Sequence, residues 1–326
     1  MNRVVVLGGT GYIGTAVCRA LHATHTVTSV SRHPVTNGLW DHVKVDLSDS
    51  TQIREVVADA DILVFTAGYS SSDKQWRVTM HDCSEAAEAR KINVDAVATA
   101  SAALTKYGRS SATPPLFVFA SSMAVHDGAP KGYAAHKRDA ERALAAIAPQ
   151  VHSVSLRLST VYGISAGETT STDLAAVGTG VIATWARAAL QGEPVWLWSD
   201  ATIRRDLVHI DDVAQAVALV VDNPTPRSYY DIGSGIGWSL RWLAEGVVET
   251  VFQTTGIRSK ILMRQAPDHA TTSDLRSVLA DPTPFTNDTG WHPNHDDPRQ
   301  DIENLVAYLA AQQHREVYSQ GEASSP

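Results

Sequence analysis

Short apolar runs alternate with longer stretches of helical periodicity over the first 160 residues. Val4-Val5-Val6-Leu7 is unbroken and mostly β-branched, the pattern of a parallel strand covered on both faces. A glycine-rich turn and a helix to about residue 23 follow. Residues 26–31 and Val43-Lys44-Val45 read as the second and third strands, 50–58 as a helix, and Ile62-Leu63-Val64-Phe65 as the fourth strand. A long alanine-rich helix is expected over roughly 83–107. Leu116-Phe117-Val118-Phe119 reads as a fifth strand, 133–148 as a helix, and 154–158 as a sixth strand. The alternation predicts βαβ units with right-handed crossovers, so the fold class is α/β with a doubly wound parallel sheet.

Beyond residue 163 the chain is less regular and richer in Gly, Pro and Thr, with helices near 181–190, 211–221 and 240–254. The expected division is a cofactor domain over 1–163, joined by a strand and helix around 203–221. A smaller mixed α/β substrate-binding lobe covers 164–313. The polar tail 314–326 is expected to fray.

Composition narrows the partners. Of 326 residues, 44% are hydrophobic and 19% charged, and the formal net charge of −8 steers away from nucleic acid and anionic membrane surfaces. The chain has no apolar run near the ~20 residues of a membrane-spanning helix and no secretory leader pattern. Two cysteines, Cys18 and Cys83, suit a reducing cytoplasmic setting. Thirteen histidines show no metal-ligand spacing, so no metal is expected.

The turn after the first strand is Gly8-Gly9-Thr10-Gly11-Tyr12-Ile13-Gly14. Strand before and helix after are the context of a Rossmann-type dinucleotide site. Gly8 allows the tight turn, Gly11 lets backbone approach a pyrophosphate, and Gly14 lets helix and strand pack closely. Thr10, Tyr12 and Ile13 lie in the same turn, at the positive end of the helix dipole. An acidic residue ending the second strand would accept from a ribose 2′-hydroxyl; Ser31 and Arg32 stand there instead, favouring NADPH. Asp46 and Leu47 are expected near the adenine, and Thr66, Ala67 and Gly68 beside the cofactor ribose.

Tyr133 and Lys137 share one helix face at i and i+4. A free phenol titrates near ~10, and a neighbouring ammonium lowers that value toward working pH. Lys137 can also hold the nicotinamide ribose. The fifth strand ends in Ala120-Ser121-Ser122, placing hydroxyls at the carboxyl edge; Ser122 is expected to orient a substrate carbonyl, with Ser121 behind it.

These residues resemble the extended short-chain dehydrogenase/reductase family of nucleotide-sugar epimerases, dehydratases and ketoreductases. The likeness continues through Asn93-Val94, Leu156-Arg157-Leu158-Ser159-Thr160-Val161-Tyr162-Gly163, Arg205-Asp206-Leu207-Val208-His209-Ile210-Asp211-Asp212 and Tyr230-Asp231-Ile232-Gly233. Trp198, Ala266-Pro267-Asp268-His269 and Thr289-Gly290-Trp291 narrow it toward dTDP-4-keto-6-deoxyhexose 4-ketoreductases of antibiotic deoxysugar biosynthesis. The resemblance implies that Arg205 contacts a diphosphate, that Trp198 lies near the base, and that Thr160 also meets substrate. It also implies that Asn93 relays protons, that the segment 165–180 lines the sugar, and that two long helices pair the chain as a homodimer. Alternation along the strand is expected to send one of Trp196 and Trp198 inward and one to the pocket. His209 and Asp211 are expected to cap the helix that follows. Met123-Ala124 stands where 4,6-dehydratases carry an acidic pair, which argues against dehydration.

The expected function is NADPH-dependent reduction of the carbon-4 ketone of a dTDP-linked deoxysugar. A sugar-nucleotide 4-epimerase, reduction of a small non-nucleotide carbonyl, and a non-catalytic NADPH sensor are the alternatives.

Overall fold

The computed structural model describes residues 1–33, 39–69, 83–108, 114–148, 150–165, 176–198, 202–266 and 275–322. In chain order, β1 (Arg3–Leu7) leads through the glycine turn into α1 (Tyr12–Leu21), followed by β2 (Thr26–Ser31), β3 (Asp41–Lys44), α2 (Ser50–Val57) and β4 (Ile62–Phe65). Helix α3 (Cys83–Arg90) passes through a π turn (Lys91–Asp95) into α4 (Ala96–Tyr107). Then come β5 (Leu116–Ser122), a 3₁₀ turn (Met123–His126), α5 (Tyr133–Ala145), β6 (His152–Leu158) and β7 (Thr160–Tyr162). The remainder comprises α6 (Val181–Leu190), β8 (Val195–Trp198), β9 (Arg204–His209), α7 (Ile210–Asp222), β10 (Tyr229–Ile232), β11 (Gly237–Ser239), α8 (Leu240–Thr255), β12 (Ile261–Arg264), α9 (Thr283–Thr289) and α10 (Pro298–Glu322).

Seven strands form one parallel sheet in the order β10-β6-β5-β4-β1-β2-β3, with Val6 opposite Val64 and Leu7 opposite Phe65. The order reverses between β1 and β4, and such a reversal opens a crevice at the carboxyl ends of the strands. Alternation along β1 divides the core. Val4 and Val6 pack with Val17 and Leu21 of α1 and Val213 and Val217 of α7. Val5 and Leu7 enter the opposite layer with Ile53 of α2 and Val97 and Leu104 of α4. Each fully buried Val or Leu contributes about 1.5–3 kcal/mol.

The smaller lobe holds a three-stranded sheet, β11-β9-β7, and the parallel pair β12-β8. Its own core is built from α6, α8 and α10, including Ile182, Trp185, Leu243, Val247 and Leu305. Among the described residues, no helix is long and apolar enough to cross a membrane.

Four features depart from expectation. The helix over 83–107 is interrupted by the π turn, and helicity continues to Glu322, where fraying was expected from 314. Ile302, Leu305, Val306, Leu309 and Ala310 form a helical stripe buried in the smaller lobe, which seats this helix as far as residue 310. Residues 229–232, within the segment assigned to the substrate lobe, supply the seventh strand of the large sheet. β9, expected beside the large sheet, pairs instead with β7 and β11.

Candidate active site

The crevice is a cleft of about 750 Å³, walled by the glycine turn, the ends of β2, β4 and β5, the start of α5, Leu158, Ser159, Val161 and residues 178–180. Gly8 has φ of +90°, and a Cβ there would lie 2.5 Å from Ala67 N. At Gly14 it would lie 2.1 Å from Gly8 O, so helix and strand meet here without side chains. Gly11 caps α1 with no side-chain hydrogen bond, and the first turn holds no acid. Helix-end N–H groups aimed into a cleft suit a phosphate.

Gly8, Thr10, Gly11, Tyr12, Ile13 and Gly14 all reach the cleft, as do Ser31, Arg32, Leu47, Thr66, Ala67 and Gly68. The Thr10 hydroxyl donates to Ser31 Oγ at 2.8 Å, and Ser31 donates to His33 O at 2.8 Å. This chain fixes the end of β2, where Arg32 stands exposed. Asp46 turns away: its carboxylate accepts from Ser48 N at 2.9 Å, which holds it below the usual carboxylate range. Val45 and Leu47 form the wall instead.

Tyr133, Lys137 and Ser122 meet in the same cleft. Tyr133 opens α5 directly after Gly132, whose φ is +83°, so the phenol sits at the positive end of that helix. Lys137 is buried; its Nζ donates to Ala120 O at 2.7 Å and lies 4.5 Å from the Phe119 ring centre and 5.5 Å from that of Tyr133. Burial lowers its pKa to about 8, with Glu141 opposing the shift. Ser122 Oγ accepts from Ala124 N at 3.1 Å, capping the 3₁₀ turn, while its proton can still be donated. A tyrosine acid beside a lysine and a serine can protonate and orient a carbonyl oxygen.

Asn93 does not reach the cleft. It is buried on the π turn, its Oδ1 accepting from Tyr69 N at 2.7 Å and its Nδ2 donating to Tyr69 O at 2.8 Å. Both ends of its amide serve the Tyr69 backbone, so Asn93 holds the segment after β4 that lines the cleft. Thr160, Trp198 and Arg205 also lie outside the cleft wall. Arg205 donates to the carbonyls of Arg204 at 3.2 Å and Arg276 at 2.6 Å. Trp196 and Trp198 share one face of β8, because i and i+2 point the same way; the expected split between them does not occur. Val195 and Leu197 turn inward, and the Arg264 guanidinium lies 5.3 and 5.7 Å from the rings of Trp196 and Trp198. Residues 166–175 of the sugar-lining segment and residues 267–269 lie outside the described residues.

Tyr69, Ile92, Ser159, Val161 and Gly178-Thr179-Gly180 line the cleft without having been anticipated singly. The Gly-Thr-Gly string was the available signal: at Gly178 (φ +65°) a Cβ would fall 2.7 Å from the Tyr12 ring. Tyr12 in turn donates to Gly163 O at 2.8 Å, joining the glycine turn to the smaller lobe.

Behind Gly163, His209 caps α7 by accepting from Asp211 N at 3.2 Å. Its ring stacks on His295 at 3.7 Å, and His295 Nδ1 is 3.0 Å from Asp301. Burial and the charge of His295 push His209 down to about 4. A depressed histidine pKa means that the fold favours the neutral ring. Stability is therefore full above the unfolded value near ~6.5 and is lost as pH falls from there toward 4. Thermal melting across this window should show a decline that His209→Gln flattens; a decline of equal steepness in the variant would refute it. His209, Asp211 and His295 present ligand-type atoms within 4.8 Å of one another, a grouping their sequence spacing conceals.

Fold and site together define a doubly wound α/β protein whose cleft, at the reversal of strand order, joins a glycine turn to a tyrosine–lysine pair. The chain belongs to the NAD dependent epimerase/dehydratase family, whose profile matches residues 4–233. It is 31% identical to a UDP-glucose 4-epimerase of Corynebacterium glutamicum over 120 residues, 36% of this chain and 33% of that protein. It is 40% identical to a dTDP-L-rhamnose 4-epimerase of Burkholderia thailandensis over 86 residues, 26% and 22% of the two chains. The matches thus span a third or less of these relatives, both of which are named as 4-epimerases rather than 4-ketoreductases. The crystal structure of UDP-glucose 4-epimerase from Thermotoga maritima with UDP-glucose has the same fold. Its TM-score is 0.75 at 20% identity, over 95% of this chain and 99% of that one.

Proposed function

We propose that the chain is an NADPH-dependent reductase of the carbon-4 ketone of a dTDP-4-keto-6-deoxyhexose. The observation that carries this reading is Arg32, exposed at the end of β2 on the wall of the cleft that also holds Tyr133 and Lys137. A guanidinium there can pair with a 2′-phosphate, whereas an acid would repel it. The residues fit a dinucleotide: Gly8 and Gly14 leave a cradle that a Cβ would fill, above an α1 N-terminus without a side-chain cap.

When bound, the nicotinamide supplies a hydride to the carbonyl carbon. Ser122 holds the ketone oxygen, Tyr133 protonates it, and Lys137 favours the resulting phenolate and supports the ribose. On the 3₁₀ turn, Met123 is buried and Ala124 carries no ionisable group, so the pair of acids that an elimination needs is not available there. Trp198, with Arg264 beside it, is suited to the flat base, Arg205 to the diphosphate, and Thr160 to a further polar contact of the substrate. Pairing through α4 and α5 as a homodimer belongs to the same reading.

A 4-epimerase is the second reading, favoured by the names of the two curated relatives. An NADPH-consumption assay over a panel of dTDP-4-keto sugars, with NADH in parallel, separates the two. Net NADPH oxidation with a clear preference over NADH is expected. Tightly bound NAD after purification and no net NADPH oxidation would instead establish the epimerase.

A further inference from the structure

Tyr133, Lys137 and Glu141 occupy every fourth position of α5, one above another on a single face. The chemistry outlined above uses the first two. Glu141 has a side chain only 15% exposed and is fixed from two adjacent strands. Ser121 of β5 donates its hydroxyl proton to Oε1 at 2.6 Å. Arg157 of β6 donates Nε to the same oxygen at 3.0 Å and Nη2 to Oε2 at 2.7 Å. Such a fork fixes the carboxylate in one orientation.

One turn away, Lys137 rests on neutral groups, the Ala120 carbonyl and the Phe119 ring. Burial among neutral partners disfavours an ammonium, and an opposite charge nearby restores it. Ser121 is also the residue before Ser122, so the same carboxylate steadies the strand end that carries the serine.

We infer that Glu141 is a positioning residue for the catalytic pair: anchored by Ser121 and Arg157 behind Lys137, its carboxylate keeps Lys137 an ammonium and fixes the end of β5. The inference rests on Tyr133 and Lys137 acting as the acid–base unit proposed above. Against α5 from the end of α3, Arg90 pairs with Asp139 at 3.0 Å and lies 3.9 Å from Asp95. On α5, Arg138 donates to the carbonyls of Val125, Asp127 and Ala129, and Arg142 pairs with Asp139 at 2.9 Å. On β10, Asp231 lies 4.0 Å from Arg157 and Tyr229 presents its ring 3.7 Å from that guanidinium, while His126 on the 3₁₀ turn is 3.4 Å from Asp231. Because Asp231 shares Arg157, the guanidinium neutralises Glu141 incompletely, and field remains for Lys137.

The test is a lysine-selective ¹³C NMR titration of the whole chain, with Lys137 assigned through Lys137→Arg. Wild-type Lys137 should titrate near 8. In Glu141→Gln, which keeps an oxygen acceptor and loses the charge, it should titrate about one pH unit lower, a tenfold fall in the ratio of ammonium to amine at a given pH. The basic limb of NADPH-dependent ketone reduction should move the same way, a shift that loosened packing alone would not produce. Ser121→Ala keeps the charge and should leave Lys137 near its wild-type value. A Lys137 unmoved in Glu141→Gln, or shifted equally in Ser121→Ala, would overturn the inference. Should Glu141→Gln fail to fold, Arg157→Gln provides the opposite test: with the competing cation gone, Lys137 should titrate higher, and an unmoved value again overturns it. If the titration shifts as expected while no ketone in the panel is reduced, the substrate reading falls and the role of Glu141 in holding Lys137 charged stands.

Discussion

Tyr133→Phe is expected to lower kcat for ketone reduction by about 10²–10⁴-fold, the span associated with loss of a positioned proton donor. The ring sits at the mouth of the cleft, 36% exposed, at the first residue of α5, with the Lys137 ammonium 5.5 Å from its centre. Phenylalanine keeps the ring and removes only the hydroxyl proposed to protonate the ketone oxygen. Affinity for NADPH, measured by fluorescence titration, should be nearly unchanged, because the glycine turn and Arg32 belong to other elements that the substitution leaves intact. Turnover retained at wild-type rate would exclude Tyr133 as the acid.

The second large effect belongs to Gly14→Ala. A Cβ there would stand 2.1 Å from Gly8 O and 2.8 Å from Gly9 Cα, and backbone cannot give way as a flexible side chain can. The start of α1 must move off β1, carrying with it the N–H groups that face the cleft. Overpacking of this kind costs about 1–3 kcal/mol, so a lower melting temperature should accompany a loss of NADPH binding of about tenfold or more. Gly11→Ala provides the contrast, since its Cβ would meet Gly8 O at 3.3 Å, a contact relieved by a few tenths of an ångström. Equal binding by wild type and Gly14→Ala would show that the turn does not hold the cofactor.

The large sheet was legible because a parallel strand buried on both faces leaves a continuous apolar run. Residues 26–31 and 62–65 were read with the bounds they adopt, and 116–119 were extended by three residues to Ser122. β10 was hidden because Tyr229-Tyr230-Asp231-Ile232 is short and carries an acid, and its place beside β6 is a long-range contact with no local sign. The π turn was equally invisible: one extra residue in a helical ring leaves local propensity unchanged while it turns Asn93 toward Tyr69. Within the site, residue types that bear chemistry were readable, whereas their partners were not. Asp46 looked free to meet a base, yet an Asx turn to Ser48 claims it. Glu141 carries no local sign of its role, since its partners lie on two strands that only the fold brings beneath α5.

The lateness of β10 bears on how the chain is made. The strand completes the edge of the sheet beside β6, but it follows that strand by some seventy residues. At synthesis rates of about 5–20 residues per second, β6 waits roughly 4–14 s for its neighbour to be made. During that interval the glycine turn, Tyr133 and Lys137 have all been made, while an apolar strand edge stands open to whatever else can pair with it. Shortened chains ending before Tyr229 keep that edge for good. A chain cut before Tyr229 is therefore expected to aggregate more readily than one that carries β10.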